Sequence, residues 1–161
     1  MKMNTLTYVL IAVLNFSGLL FGIILAYLAK EEIAFGKKYF MIFQEGIMIC
    51  VVFIAMLSVN IPTLFSAMIA AAFFFLVYAY SIFRMSLISY SILGLLLFLS
   101  SFQQDYLLIN SCLIFIFGLA QAAIVFPIKQ KIQTPTSYYV YLMLGFFLFS
   151  LAPFFFYTML L

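Results

Sequence analysis

Residues 6–28 read LTYVLIAVLNFSGLLFGIILAYL, an apolar run without one charged side chain. A helix needs about 20 such residues to cross the ~30 Å hydrocarbon core of a bilayer, so this run suffices for one span. Secretory signal h-regions are shorter, about 7–15 residues, and the stretch that follows Lys2 therefore reads as a retained first span. Outward from it, charges and turn formers at Lys30–Lys38, Asn60-Ile61-Pro62, Phe83-Arg84, Gln103-Gln104-Asp105 and Pro127–Ser137 divide the rest of the chain. Five more apolar segments result, at 39–59, 63–82, 85–101, 106–126 and 138–160. The expectation is an all-α integral membrane protein, one transmembrane domain over residues 1–161, with six spans. The fourth segment is the shortest and carries Ser86, Ser89, Ser91 and Gly94; joined to the third as a re-entrant pair, it would reduce the number of spans.

Composition supports the same solvent. The chain is 69% hydrophobic and 7% charged, whereas a soluble domain is roughly half apolar and about a quarter charged. Too few polar groups exist to cover a water-facing surface. Backbone amides in lipid must bond internally, as helices or as a closed barrel. Barrel strands alternate in polarity over about ten residues; the runs here are long and unbroken. The seven basic residues are scattered, with no basic stripe for nucleic acid. Cys50 and Cys112 lie mid-segment without CxxC spacing and read as small packing residues.

Orientation follows from the basic residues of short loops, which stay cytoplasmic. Loops one, three and five carry Lys30, Lys37, Lys38, Arg84, Lys129 and Lys131, while the other side has only Lys2. Both termini are therefore expected outside the cytoplasm. Tyr27, Tyr39, Tyr78, Tyr80, Tyr138 and Tyr139 then fall at the inner interface and Tyr8, Tyr106 and Tyr157 at the outer one, as an aromatic belt. Three hairpins turning at basic loops would suit a triplicated unit, and three plus three helices an inverted repeat. Residue identity between the units favours neither, and hairpins without a common origin are the expectation.

The chain has no histidine, which removes imidazole bases and imidazole metal ligands. Its acidic residues are Glu31, Glu32, Glu45 and Asp105, with Asp105 on the opposite side from the glutamates, so no intramembrane carboxylate dyad can form. No glycine spacing resembles a phosphate loop. No enzyme, cofactor or metal site is expected. Glu45 is the costly residue: from a helix start near Lys38 it lies about 10 Å along, where a carboxylate is unfavourable by roughly 2.5–3.5 kcal/mol. It should face protein or water, either pairing with Arg84 or Lys38 or binding a cation or proton. Gln44 stands on the adjacent face.

Asn110 and Gln121 are separated by about three turns, which puts them on one face about 16 Å apart. Asn15, Gly18, Gly22 and Ala26 share a face of the first segment, and Gly18 and Gly22 form a small-xxx-small motif that lets backbones approach. Glu45, Gln44, Arg84 and Gln121 are expected to meet near the cytoplasmic side, with Asn15 and Asn110 continuing a polar face outward. Pro153 should kink the sixth helix.

The stretch LAYLAKEEIAFGKKYF around the first loop resembles small uncharacterised polytopic membrane proteins of archaea. The resemblance implies a prokaryotic cell membrane and assigns no activity or residue role. Two functions suit the chain: a small ion or solute transporter or channel, or a non-catalytic accessory or scaffold subunit of a larger membrane complex. The partners expected are the lipid bilayer and a homo-oligomer or larger complex.

Overall fold

A computed structural model describes residues 5–80, 87–129 and 137–160. Six helices make up these residues: α1 (Thr5–Leu28), α2 (Lys30–Ser58), α3 (Thr63–Tyr80), α4 (Leu87–Ser100), α5 (Gln104–Lys129) and α6 (Ser137–Leu160). Among the described residues there is no strand. Arg84 lies outside them.

The helices stop where backbone chemistry stops them. At the end of α2, Asn60 takes φ 61°, a left-handed conformation asparagine tolerates better than most residues. The Ile61 N–H then donates to the Met56 carbonyl at 3.3 Å and the Asn60 N–H to that of Leu57 at 3.0 Å. This double closure satisfies carbonyls that a helix end leaves open, and Pro62 follows. The α4–α5 connection is a three-residue turn over 101–103. Gln103 Nε2 donates to Asn60 Oδ1 at 2.9 Å, tying the two turns to one end of the bundle.

One boundary differs from the expectation. Lys30–Lys38, read as a loop, is helical, and only Ala29 separates α1 from α2. The segment is rich in Lys, Glu and Ala, good helix formers, and contains no proline; its charges marked a membrane boundary, which a helix can cross without breaking. Likewise α5 continues two residues past Pro127, to Lys129.

α5 occupies the centre, packed against α1, α2 and α4. Its register with α1 ascends in step: Ser111 meets Asn15, and Gly118 meets Gly18 and Leu19. The two helices are therefore parallel. α2 runs the other way, since Gln44 meets Gln121 while Val51 meets Asn110. α6 packs along α4, with Gly94 against Phe146 and Phe98 near Tyr157, also in parallel. α3 leans on α2 alone among the extensive contacts. An inverted three-plus-three repeat would give α1 the relation to α3 that α4 has to α6; no comparable α1–α3 contact exists among the described residues.

Four helical stretches are long and apolar enough to cross a membrane: Thr5–Leu28, Phe35–Ser58, Gln104–Ala122 and Val140–Tyr157. Shorter apolar stretches, Thr63–Leu76 and Ile88–Ser100, accompany them. Large apolar side chains such as Leu10, Leu14, Phe65, Phe75, Leu148 and Phe156 are exposed, an arrangement favoured only in lipid. The protein is an all-helical membrane protein. Two readings need correction. Cys50 and Cys112 are exposed on the outer surface instead of packed inside, Cys50 at the open groove between α2 and α3. Tyr8, read as an interfacial aromatic, is fully buried; α6 covers it.

Candidate functional site

The polar residues of the interior gather on α5. Asn110, Ser111 and Gln121 are all buried, and each bonds a different part of the bundle. The Ser111 hydroxyl donates to Asn15 Oδ1 of α1 at 2.7 Å. Asn110 Nδ2 donates to the Val51 carbonyl of α2 at 3.2 Å and to Ser100 Oγ of α4. Gln44 Nε2 of α2 donates to Gln121 Oε1. Helical geometry produces this divergence: Asn110 and Ser111 are consecutive and so point about 100° apart, toward different neighbours.

A second polar knot lies beside Asn110. The Ser58 hydroxyl of α2 lies 2.6 Å from the Ala55 carbonyl of its own helix and 2.8 Å from Leu99 of α4. The Ser100 hydroxyl donates to the Leu96 carbonyl at 2.7 Å. Asn110, Ser58 and Ser100 are each 0–1% exposed, and their bonds tie α2, α4 and α5 together.

Two atoms stand out. Asn15 Nδ2 and Asn110 Oδ1 are buried and have no hydrogen-bond partner among the described residues. Turning the Asn110 amide would set its oxygen against the Val51 carbonyl, so its orientation follows from that neighbour. An unsatisfied buried donor or acceptor costs about 1–3 kcal/mol, and such groups in a folded protein call for an explanation such as water or an ion.

Gln44 and Gln121 meet, then, and Glu45 beside them is half-buried. α2 begins at Lys30, about four turns before Glu45, and its apolar stretch begins at Phe35, about three turns before it. Arg84, expected in the same cluster, is outside the described residues. No hydrogen bond joins Asn15 to Asn110 among the described residues; Ser111, adjacent to Asn110, connects α5 to Asn15.

The glycines set the distance between α1 and α5. A Cβ on Gly22 would stand 2.6 Å from the Ala122 Cβ and 2.7 Å from the Leu119 carbonyl oxygen, and one on Gly118 2.8 Å from the Leu19 nitrogen. Real Cβ atoms do not approach that closely, so these backbones touch only because side chains are absent. Ala26 departs from this seam and packs against Phe40 of α2. Gly118 and Ala122 are four residues apart, a second small-xxx-small motif that the sequence reading did not single out, and Ala122 faces Gly22. Ser58, Ser100 and Ser111 were missed because serine is common in membrane helices. Only their facing partners distinguish them.

Near one end of the bundle, α1 meets α6. The Tyr8 hydroxyl donates to the Ser150 carbonyl at 3.0 Å. Its ring stacks on Phe154, with centroids 4.0 Å apart and planes 8° from parallel. Pro153 lies inside α6 between these two partners. Among the described residues no group of three or more His, Cys, Asp or Glu side chains could hold a metal.

The polar groups gathered here are amides and hydroxyls linked across helices, with the Glu45 carboxylate beside them. No family model, curated protein or solved structure matches this chain.

Proposed function

We propose that the protein is a small non-catalytic transporter or channel of a prokaryotic cell membrane, passing an ion or small polar solute along the buried face of α5. The reading takes all six helices as spans, with both termini extracytoplasmic. The loop charges support that orientation, and the alternating helix directions are compatible with it. The observation that carries transport is the pair of unsatisfied amide atoms, Asn15 Nδ2 and Asn110 Oδ1. A purely structural polar residue in lipid completes its bonds inside the protein. Here a donor on α1 and an acceptor on α5 retain capacity for a guest. The Gln44–Gln121 bond and half-buried Glu45 prolong the polar line toward the basic loops.

The experiment is flux into proteoliposomes, with sodium, potassium and protons as probes. Asn110→Leu is nearly isosteric, and it removes an amide whose oxygen bonds nothing. Its stability should stay within about 1 kcal/mol of the parent, since bonds of this kind in membranes average only about 0.6 kcal/mol. Its flux should fall to the level of empty vesicles. Absence of flux in the parent protein for all three probes would remove them as cargo. Unchanged flux in Asn110→Leu would remove this path.

A second reading, an accessory subunit of a larger membrane complex, is favoured by the other hydrogen bonds: Tyr8, Ser58, Ser111 and Gln44 each fasten one helix to another. Purification in mild detergent separates the two. A constant larger partner supports the subunit, and a symmetric oligomer that conducts supports the transporter.

A further inference from the structure

Pro153 weakens α6 at a definite place. It has no N–H for the carbonyl of Phe149, four residues earlier, and its ring crowds the preceding turn. Ser150 belongs to that turn, and its carbonyl receives the Tyr8 hydroxyl from outside the helix. In membranes, neighbouring helices commonly resupply bonds where proline loosens the backbone.

Burial shows what else holds the segment beyond the proline. Phe154 is 4% exposed, whereas Phe155, Phe156, Tyr157 and Met159 are all exposed. Among the described residues after Pro153, Phe154 is therefore the one buried anchor, and it is stacked on Tyr8. Tyr157 adds edge-to-face contacts with Phe98 of α4 and Phe102 of the turn that follows it, at 6.5 and 5.3 Å between centroids. From α1, Tyr8 grips both sides of the break, the carbonyl before Pro153 and the ring after it.

We infer that Tyr8 is a latch on a hinge, holding the terminal segment of α6 against α1, and that this segment swings about Pro153 when the latch is released. The hinge is independent of the transport reading, since it requires no guest. Its parts are separable. Tyr8→Phe keeps the stacked ring and loses the hydroxyl. Pro153→Ala restores the N–H that the Phe149 carbonyl lacks and removes the ring that crowds the turn, so that the terminal segment no longer depends on the outside tie at Ser150.

The experiment places spin labels at two exposed positions, Leu108→Cys on α5 and Met159→Cys near the end of α6, with Cys50 and Cys112 replaced by alanine. Distances are read in lipid bilayers. The labelled parent should give one narrow distribution. Tyr8→Phe should broaden or split it, and Tyr8→Phe with Pro153→Ala should return it to one narrow peak. A Tyr8→Phe distribution as narrow as the parent's overturns the latch. A double variant as broad as Tyr8→Phe overturns the role of the proline. If Tyr8→Phe does not fold, recovery of folding by Pro153→Ala supports the inference and failure to recover refutes it.

Discussion

Gln44 and Gln121 face each other from antiparallel helices and are 6% and 3% exposed. Their bond matters less for what it adds than for what its loss would strand. Removing one partner leaves a buried amide at a cost of about 1–3 kcal/mol, while removing both leaves apolar packing. Gln44→Leu and Gln121→Leu should therefore each lower the melting temperature in detergent. The double variant should be less destabilised than the sum of the singles; additive losses would mean that the two amides do not depend on each other. Asn110 obeys the opposite logic, because it arrives with an oxygen already unsatisfied. Its replacement by leucine removes that penalty along with its bonds.

Between elements, glycine content decides which helices touch. Gly22 has no room for a methyl group against α5, whereas a Cβ at Gly46 of α2 meets nothing within 4 Å. Gly22→Ala should destabilise the bundle by about 1–3 kcal/mol, the usual cost of overpacking. Gly46→Ala should be neutral or stabilising by up to ~1 kcal/mol, from helix propensity alone. Thermal unfolding of the two variants side by side checks both. The small-residue seam was readable from the 18–22 spacing because close approach needs glycine on one helix face, and that requirement is local. Which helix it meets was not readable. Gly118 and Ala122 repeat the spacing on α5, but spacing alone does not say which two helices come together. The same holds for the polar site: Asn15, Gln44, Asn110 and Gln121 stood out as polar residues in apolar runs, but which of them meet depends on helix order in the bundle. The boundary at Lys30–Lys38 was misread for a different reason, since charge reports depth in a membrane and does not report the end of a helix.

For the whole molecule, the predicted orientation is directly testable. In a background lacking Cys50 and Cys112, a cysteine at Asn60 should react with an impermeant maleimide added outside intact cells. A cysteine at Gly36 should react only after permeabilisation. The reverse pattern would invert the topology and with it the proposed direction of the polar line. On the proposed six-span reading little of the chain lies outside the bilayer, and stability then rests on contacts within the membrane plane. The most extensive of these joins α1 to α5, helices separated in the sequence by three others. The consequence concerns synthesis. The first helix leaves the ribosome with Asn15 and two bare glycines exposed to lipid, and the surface that fits them is not translated until most of the chain has been made. Until then α1 must wait in the bilayer without its mate, and a nascent chain stalled before Gln104 should be a preferred substrate for membrane quality-control proteases.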